Sequence, residues 1–445
     1  MNAPRKKIAV IGSGLAGLSA AWALRTIADV EMFESDARVG GHAYTVDVST
    51  DSGNIPVDVG FIVCNDINYP NFMAMLQCLG VETQESDMSF SVSDPDKFEW
   101  SSDPTGLFAQ KRNFVRPEFW KLLTEILRFN KTAIADAEAD QLPHNLTLGE
   151  YLDQIGASQL FRDQYIYPMG AAIWSTPEAD INGYPARPFI RFFNNHRLMH
   201  KERPKWRTVQ GGSRSYVNKL IQDLGDRIKT GEPVHQVTRK DGGVDVRLTD
   251  RTERFDDVVL ACHADQSFRL LGDGFENAAS ILAPMKTIPN RAVLHGDASL
   301  MPKRRAAWAS WNVLKGEDQE VTLTYWMNRL QGIDNSIPLF VTLNPQKPPR
   351  IDQVHGEFEF THPLYTIESH EALSRLELVN GRDGLWFAGA WMGNGFHEDA
   401  LKAGLRVAVS LGATLPWEPV GVKPYLDLSE QVTDEDINVS AVAAQ

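Results

Sequence analysis

The N-terminal part of the chain alternates short apolar runs with turn-forming residues. Residues 7–11, KIAVI, have the length and composition of a buried strand. A glycine-rich turn then opens an apolar helix that we expect to end near Arg25, and a second strand, VEMFE, follows at 30–34. This order predicts a strand–helix–strand unit, with which a parallel sheet covered by helices begins.

The periodicity changes further along the chain. Residues 68–80 read as an amphipathic helix, and Pro117 suits the first position of another helix over 117–138. Between 285 and 343, apolar and polar positions alternate, as in RAVLHGD and VTLTYWM. That alternation predicts the strands of a second sheet.

The turn after the first strand carries three glycines in the spacing GxGxxG. Gly12 permits a tight turn, Gly14 lets the backbone approach a pyrophosphate, and Gly17 lets the helix pack close to the strand. Glu34 ends the second strand 22 residues after Gly12, where an acid accepts a hydrogen bond from the ribose of a dinucleotide. The pattern predicts dinucleotide binding, and the alternative is a glycine-rich helix start without a ligand.

Charge and cysteine content narrow the class of protein. A net charge of −14 argues against a surface that binds nucleic acid, which needs a positive face. The three cysteines are widely spaced, and no histidine pair has the HExxH spacing, so we predict neither a disulfide framework nor a metal site.

The apolar start of the chain resembles a secretory signal, but glycines interrupt it, and we expect a cytoplasmic protein. The sequence leaves the oligomeric state open.

Segments near both ends resemble the superfamily of flavin amine oxidases and carotenoid (phytoene) desaturases. They are RVGGH at 38–42, VHQV at 234–237 and LWFAGAWMGNGFHEDALKAGLRVA at 385–408. The resemblance implies FAD as the cofactor, with covalent attachment through His42 or Cys64 left open. The cofactor-binding residues predicted by the glycine spacing and the resemblance together are Gly12, Gly14, Gly17, Glu34, Arg38, Gly40, Gly41, His42, Val234, Gly389, Ala390, Gly395 and Phe396.

The resemblance also implies the fold class, which is α/β. A Rossmann-like, discontinuous FAD-binding domain would comprise residues 1–65, 205–270 and 380–415. Residues 66–204 and 271–379 would form an α+β substrate domain of mixed sheet and helices. We expect 416–445 to be a C-terminal extension that is partly disordered from about Ser429.

Several positions depart from the amine oxidase pattern. Amine oxidases have a lysine near the flavin N5, and the best match here is Arg291. The tyrosine near the C-terminus of these enzymes falls at Phe396, which keeps an aromatic wall and suits an apolar carbon chain. Trp326 and Trp391 are expected to complete that wall, and His397 either takes a proton or caps the following helix.

These features lead to three hypotheses about function. The first is an FAD-dependent oxidoreductase that desaturates or isomerises an unsaturated or methylated fatty-acyl chain, perhaps within phospholipid, as in a bacterial subgroup that the chain resembles. The second is an amine oxidase that releases hydrogen peroxide. The third is a catalytically silent flavoprotein that partners a lipid-modifying enzyme.

Two basic, aromatic stretches, 107–123 and 187–207, stand out from the acidic background. Such stretches are candidates for peripheral contact with the inner membrane surface. The alternative is that their aromatic residues belong to the core and their cations cover apolar surface.

Overall fold

The computed structural model describes residues 5–51, 53–94, 97–316 and 321–425. Its strands are β1 Lys7–Ile11, β2 Asp29–Glu34, β3 Thr45–Thr50, β4 Gly53–Asp58, β5 Cys64–Asn65, β6 Thr83–Glu85, β7 Phe90–Ser93, β8 Glu99–Ser101, β9 Trp206–Val209, β10 Ile228–Thr230, β11 Gln236–Lys240, β12 Gly243–Arg247, β13 Thr252–Phe255, β14 Asp257–Leu260, β15 Lys286–His295, β16 Trp311–Lys315, β17 Val321–Trp326, β18 Phe340–Leu343, β19 Val354–Leu364 and β20 Leu385–Phe387. Its α-helices are α1 Leu15–Leu24, α2 Pro70–Leu79, α3 Pro117–Ala139, α4 Leu148–Gln154, α5 Gln159–Phe161, α6 Tyr167–Trp174, α7 Glu178–Ile181, α8 Ala186–Asn195, α9 Arg214–Leu224, α10 Ala264–Leu270, α11 Glu276–Leu282, α12 Met327–Gln331, α13 Ile367–Leu376 and α14 His397–Ser410.

A five-stranded parallel sheet in the order β10-β2-β1-β14-β20 forms the first layer. Successive side chains of β1 point to opposite faces of the sheet. Ile8 and Val10 pack in the cluster of α1 and α14, whereas Ala9 and Ile11 pack with β12, α11 and α13. Both faces are therefore covered, which confirms the predicted Rossmann-like α/β layer.

The second layer is a seven-stranded mixed sheet in the order β19-β15-β18-β17-β16-β7-β8. It is antiparallel except between β7 and β16. One hydrophobic cluster joins this sheet to α3, α6 and α8. The alternating segments between 285 and 343 are thus strands, as predicted, and the two helices predicted over 68–80 and 117–138 are α2 and α3.

The domain boundaries of the sequence analysis stay a prediction, with one visible difference. The parallel sheet draws its strands from three separated parts of the chain, 7–34, 228–260 and 385–387. However, α2, which we assigned to the substrate domain, buries Phe72, Met75 and Leu76 in the cluster of α1 and α14. The predicted disorder from about Ser429 lies outside the described residues.

A buried carboxylate fixes α2 to α14. Glu398 accepts hydrogen bonds from Nδ2 of Asn71 at 2.6 Å and from the backbone N–H of Phe72 at 2.9 Å. The backbone N–H of Asn71 also donates to this carboxylate, at 3.2 Å. The N–H groups of Asn71 and Phe72 lie in the first turn of α2, where backbone N–H groups have no partner within the helix. Glu398 therefore caps a helix other than its own.

A second buried carboxylate joins the two layers. Asp58, at the end of β4, accepts from Oγ1 of Thr45 at 2.6 Å and from the backbone N–H and Oγ of Ser213 at 2.9 and 2.7 Å. Its own N–H donates to Oε1 of Gln331 at 2.9 Å. Burial raises the pKa of Asp58 to about 6.

Among the described helices, none combines the length and apolar composition that crossing a bilayer requires.

Candidate functional site

The glycine turn after β1 lies at the carboxyl edge of the parallel sheet, where ligands of such sheets bind. Gly12 has a φ of 101° and donates its N–H to the carbonyl oxygen of Phe33 at 2.9 Å. A Cβ on Gly17 would lie 2.0 Å from the carbonyl oxygen of Gly12. These two glycines are thus required by the contact between α1 and the end of β1.

Gly14 differs, because a Cβ built on it meets no atom of the described residues within 4 Å. It is the N-cap of α1, and in this part of the chain no side chain caps that helix and no acid occupies its first turn. A Cβ on Gly41 would lie 3.0 Å from the Cα of Gly14, so the two glycine turns meet here. The free N–H groups of α1 and the open space beside Gly14 form a place for an anion.

Glu34 ends β2 beside this turn. Its carboxylate accepts from the backbone N–H and Oγ of Ser13, at 2.9 and 2.5 Å, and from the N–H of Asp36 at 2.9 Å. Val234 follows β10 closely and is half-buried against the core of the parallel sheet. The structure therefore brings Glu34 and the segment of Val234 to the same edge as the glycine turn.

Arg38 braces the second glycine turn, Gly40–Gly41. Its guanidinium donates to the carbonyl oxygens of Gly41 at 2.6 Å and Ala43 at 3.2 Å, and it lies 3.9 Å above the ring of Tyr44. Gly40 donates its N–H to the carbonyl oxygen of Ser13 at 3.1 Å. Arg38 thus stabilises the conformation of this turn through hydrogen bonds to its carbonyl oxygens.

His42 follows the double glycine and lies among other rings. Its ring centroid is 5.0 Å from that of Phe360, 5.2 Å from His362 and 5.6 Å from His263. Its Nε2 is buried and has no hydrogen-bond partner among the described residues. Burial holds the pKa of His42 well below 6.5, so the ring is neutral at pH 7.

The loop from Gly389 to Phe396 connects β20 to α14 and lies at the same edge. Nε1 of Trp391 donates to the carbonyl oxygen of Cys262 at 3.0 Å, which ties this loop to the end of β14. A Cβ on Gly389 would lie 2.2 Å from that Nε1. Ala390, half-buried in the loop, accepts the N–H of Gly395 at 3.1 Å.

Asp399 holds the last residues of this loop in place. Its Oδ2 accepts from the N–H groups of Asn394 and Phe396, both at 3.1 Å. Burial raises the pKa of Asp399 to about 6. Asp399 thus caps α14, the role for which His397 was a candidate.

The ring of His397 packs against Phe61, Phe72 and Tyr216, in the hydrophobic cluster that also contains α1 and α14. Its ring stacks on Phe61 with centroids 3.5 Å apart, and its Nε2 lies 2.8 Å from the hydroxyl of Tyr216. Burial lowers the pKa of His397 to about 3. These contacts do not support a proton-accepting role, and we leave His397 out of the proposed chemistry.

Phe396 faces the other way, toward the aromatic cluster beneath α8. Its ring stacks on Phe192 with centroids 4.8 Å apart and lies 5.8 Å from His196. Nε1 of Trp174 donates to the carbonyl oxygen of Asn394 at 3.1 Å. Phe396 thus stands beside other aromatic rings, but its ring partners are Phe192 and His196, and the expected Trp326 and Trp391 are not among them in the described residues.

The sequence analysis missed two tyrosines beside this loop. A Cβ on Gly395 would lie 3.1 Å from the hydroxyl of Tyr365, whose ring is 5.7 Å from that of Tyr184. The Tyr365 hydroxyl is buried and unpartnered within the described ranges. The two tyrosines are far apart along the chain, so no local pattern indicated that they meet.

Two predicted catalytic residues lie elsewhere. Arg291 on β15 is about half exposed and pairs with Glu357 at 2.8 Å, while its neighbour Asn290 points to the opposite, buried face and contacts His362 at 2.9 Å. Successive residues of a strand alternate between faces, so the match that placed Arg291 near a flavin is one residue out of phase with the buried face. Trp326 packs on Trp308 and shares no ring contact with Trp391 or Phe396 among the described residues.

Cysteine and metal chemistry receive no support. Burial raises the pKa of the Cys64 thiol to about 12, so the thiolate needed for covalent attachment is scarce. In the described ranges, no group of three or more ligating side chains is placed to hold a metal ion.

The residues fit a flavin dinucleotide. The open space beside Gly14 and the uncapped α1 suit a pyrophosphate. The unpartnered Nε2 of His42 and hydroxyl of Tyr365 are polar groups that a bound molecule would satisfy, because buried polar atoms are nearly always hydrogen-bonded.

The sequence profile described as "Flavin containing amine oxidoreductase" matches residues 15–283, more than half of the chain. A search of curated proteins found no match.

Many solved structures share the fold. A redesigned double mutant of putrescine oxidase superposes with a TM-score of 0.67 at 14% identity, covering 92% of this chain and 99% of that chain. The CLA-producing fatty acid isomerase from P. acnes gives 0.65 at 14% over the same shares, and the cyclohexylamine oxidase from Brevibacterium oxydans IH-35A gives 0.67 at 14%, again over 92% and 99%. At such identities the superpositions establish the fold alone, and the profile match carries the assignment. The chain therefore belongs to the family of flavin-containing amine oxidoreductases, and it is an FAD-dependent oxidoreductase.

Proposed function

We propose that this protein removes a hydride from a carbon of an apolar substrate, an unsaturated or methylated fatty-acyl chain. The chain is desaturated if a proton is then lost and the hydride is kept, which is a net oxidation; its double bond is shifted if the hydride is returned to another carbon, which is redox-neutral. FAD, when bound, would accept a hydride from a C–H bond held against its ring. The observation that carries the proposal is the cluster of aromatic rings beside the loop of Phe396.

The rings at this surface suit a carbon chain. Phe396 and Phe192 stack side by side, and Trp174 and Tyr184 continue the same cluster with ring centroids 4.6 Å apart. Large aromatic rings offer apolar contact area without side-chain charge. We infer that they position an acyl chain and exclude water from it.

The titratable groups nearby also favour a neutral substrate. Burial lowers the pKa of His196 and His362 to about 4 and that of His42 well below 6.5, so these rings carry no charge at pH 7. Asp399 engages its Oδ2 with two backbone N–H groups, and burial raises its pKa. Of these groups only Asp399 is largely ionised at pH 7, and its Oδ2 already accepts two hydrogen bonds, so a protonated amine would find one complementary charge that is partly engaged.

Tyr365 is the polar group best placed to act. Its hydroxyl is buried, lies next to Gly395 and has a pKa held well above 10 by burial, so it stays protonated at pH 7. It can donate one hydrogen bond to whatever group is brought beside it. We infer that Tyr365 orients the cofactor or the substrate and does not take a proton.

Amine oxidation is the second candidate. The neighbouring rings of Tyr184 and Tyr365 could hold an ammonium group through cation–π attraction. The putrescine and cyclohexylamine oxidases are structural relatives that act on amines, while the fatty acid isomerase among them acts on an acyl chain. The relatives therefore leave both substrate classes to experiment.

Anaerobic mixing of the purified flavoprotein with each substrate class separates the candidates. We expect phospholipid vesicles or free fatty acids with unsaturated chains to bleach the visible absorbance of the oxidised flavin, or to be recovered as isomers. Mass spectrometry of the recovered chains distinguishes a loss of two hydrogens from a moved double bond. Bleaching by polyamines or primary amines alone, with hydrogen peroxide formed in air, would replace the proposal by amine oxidation. A flavin reduced by no member of either class would support the silent flavoprotein.

A further inference from the structure

Exposed apolar side chains are concentrated on one surface of the substrate-side layer. Four of the nine large hydrophobic residues that are exposed in the described ranges lie between 114 and 127. We call these four the docking face: Phe114 is 57% exposed, Val115 82%, Trp120 47% and Leu127 69%. Single exposed apolar residues are common, but a cluster of this kind marks an interaction surface.

The rings of the docking face are held rigidly from beneath. Nε1 of Trp120 donates to the carbonyl oxygen of Phe114 at 3.0 Å, and the Phe114 ring stacks on Phe108 at 3.8 Å. The inner side of α3 is buried through Phe119 and Leu122. The inner side of α3 therefore contributes the helix's apolar contacts to the core, and the exposed apolar residues are not needed for that packing.

Cations surround the docking face although the chain is acidic overall. Lys111, Arg112 and Lys121 are exposed, and none of them forms an ion pair with any described residue. Glu118 is the only acid between positions 111 and 121. Unpaired cations beside exposed aromatic rings are complementary to the anionic head groups and interfacial region of a membrane.

The second basic stretch, 187–207, is used differently. Arg187 and Arg191 both pair with Asp140 at 2.9 Å, and Arg207 donates to Oγ1 of Thr83 at 2.6 Å. These cations hold elements of the fold together. The docking face is therefore defined without these three arginines.

The docking face is connected to the candidate site through one helix. α3 packs against α8, and α8 carries Phe192, whose ring stacks on Phe396.

A stable protein–protein interface needs about 20 to 30 residues on each side, far more than this small face offers.

We propose that the docking face binds the anionic surface of a lipid bilayer, with Phe114, Val115 and Trp120 in the interface and the three cations at the head groups. The inference rests on the proposed function only for its purpose, which is to bring acyl chains to the aromatic cluster. Binding is measured without turnover, so the two can fail separately. A protein that binds vesicles but alters no acyl chain keeps the docking face and refutes the reaction.

The test is co-sedimentation of the flavin-loaded protein with vesicles of phosphatidylglycerol and phosphatidylcholine, compared with phosphatidylcholine alone. We expect binding to the anionic vesicles that weakens with added salt. Replacing all three cations (K111Q, R112Q, K121Q) should weaken it roughly 100-fold, at about fivefold per cation. The double substitution Phe114→Ser and Val115→Ser should weaken it about 30-fold.

Matched controls lie away from the docking face. Ile351, 86% exposed, precedes β19 at one edge of the seven-stranded sheet. The docking face follows β8, the strand at the opposite edge, and six strand spacings separate these two edge strands by roughly 29 Å. Lys219 is exposed on α9, which packs against α1 and α2. Ile351→Ser and Lys219→Gln should bind like the unaltered protein, and every variant should keep its flavin content and Tm. The proposal would be overturned by equal binding to both vesicle types, or by variants of the docking face that bind as tightly as the control variants. The proposal would also be overturned if the protein sedimented as a dimer and the Phe114 and Val115 substitutions made it a monomer. The docking face would then bind a second copy of the chain and not a membrane.

Discussion

Replacing Gly14 by alanine should separate cofactor binding from folding. Gly14 has φ −63° and ψ 174°, a conformation that alanine adopts readily. Its Cβ would meet no described atom within 4 Å. The folded protein without cofactor therefore has room for the methyl group.

The effect of Gly14→Ala on stability should be close to zero. Alanine is a poorer N-cap than glycine, which lowers the free energy of unfolding by about 0.5 kcal/mol. Alanine also reduces the conformational entropy of the unfolded chain, which raises the free energy of unfolding by about 0.4 to 1 kcal/mol. A bound pyrophosphate, however, would meet the new methyl group. Losing one or two hydrogen bonds to a charged group, at about 1.5 to 3 kcal/mol each, weakens FAD binding by at least about tenfold.

The assay is a titration of the cofactor-free protein with FAD, together with its thermal unfolding. Gly183→Ala, at an exposed position with only ordinary contacts, controls for the loss of a glycine. Gly17→Ala should instead destabilise the cofactor-free protein, because its Cβ would lie 2.0 Å from a carbonyl oxygen. Gly14→Ala with unchanged FAD affinity would refute the placement of the pyrophosphate.

Three further predictions concern the loop and the two buried carboxylates. Phe396→Tyr should leave flavin content intact and alter turnover, measured by anaerobic flavin reduction; unchanged turnover would place this ring away from the reacting carbon. Glu398→Gln should lower the free energy of unfolding by about 2 kcal/mol in a denaturant titration, because an amide cannot accept at both oxygen positions, and an unchanged midpoint would contradict the capping of α2. Burial raises the pKa of Asp58 to about 6, so the folded protein binds this proton more tightly than the unfolded chain. Stability should therefore fall by up to about 3 kcal/mol as the pH rises from about 4 to 6. Asp58→Asn should flatten that slope, and an equal slope in both proteins would show that other groups cause it.

The spacing of residues predicted a dinucleotide site and the layer that holds it, and the resemblance to flavin enzymes selected FAD as the dinucleotide. Gly12, Gly17 and Glu34 were identified because a tight turn, a close helix and an acid after β2 are local requirements with fixed spacing. The strands between 285 and 343 were equally predictable, since alternation along a strand reflects its two faces.

The tertiary structure decided which side chains surround the reacting region. The register of β15 places Arg291 on its exposed face and Asn290 on its buried face. At the start of α14, Phe396 stacks on Phe192, whereas the next residue, His397, stacks on Phe61. Tyr365 reaches Gly395 from another segment, and the outward side of α3 leaves Trp120 and Leu127 exposed. Such placements depend on how distant elements pack against each other, and that information is absent from the spacing of residues along the chain.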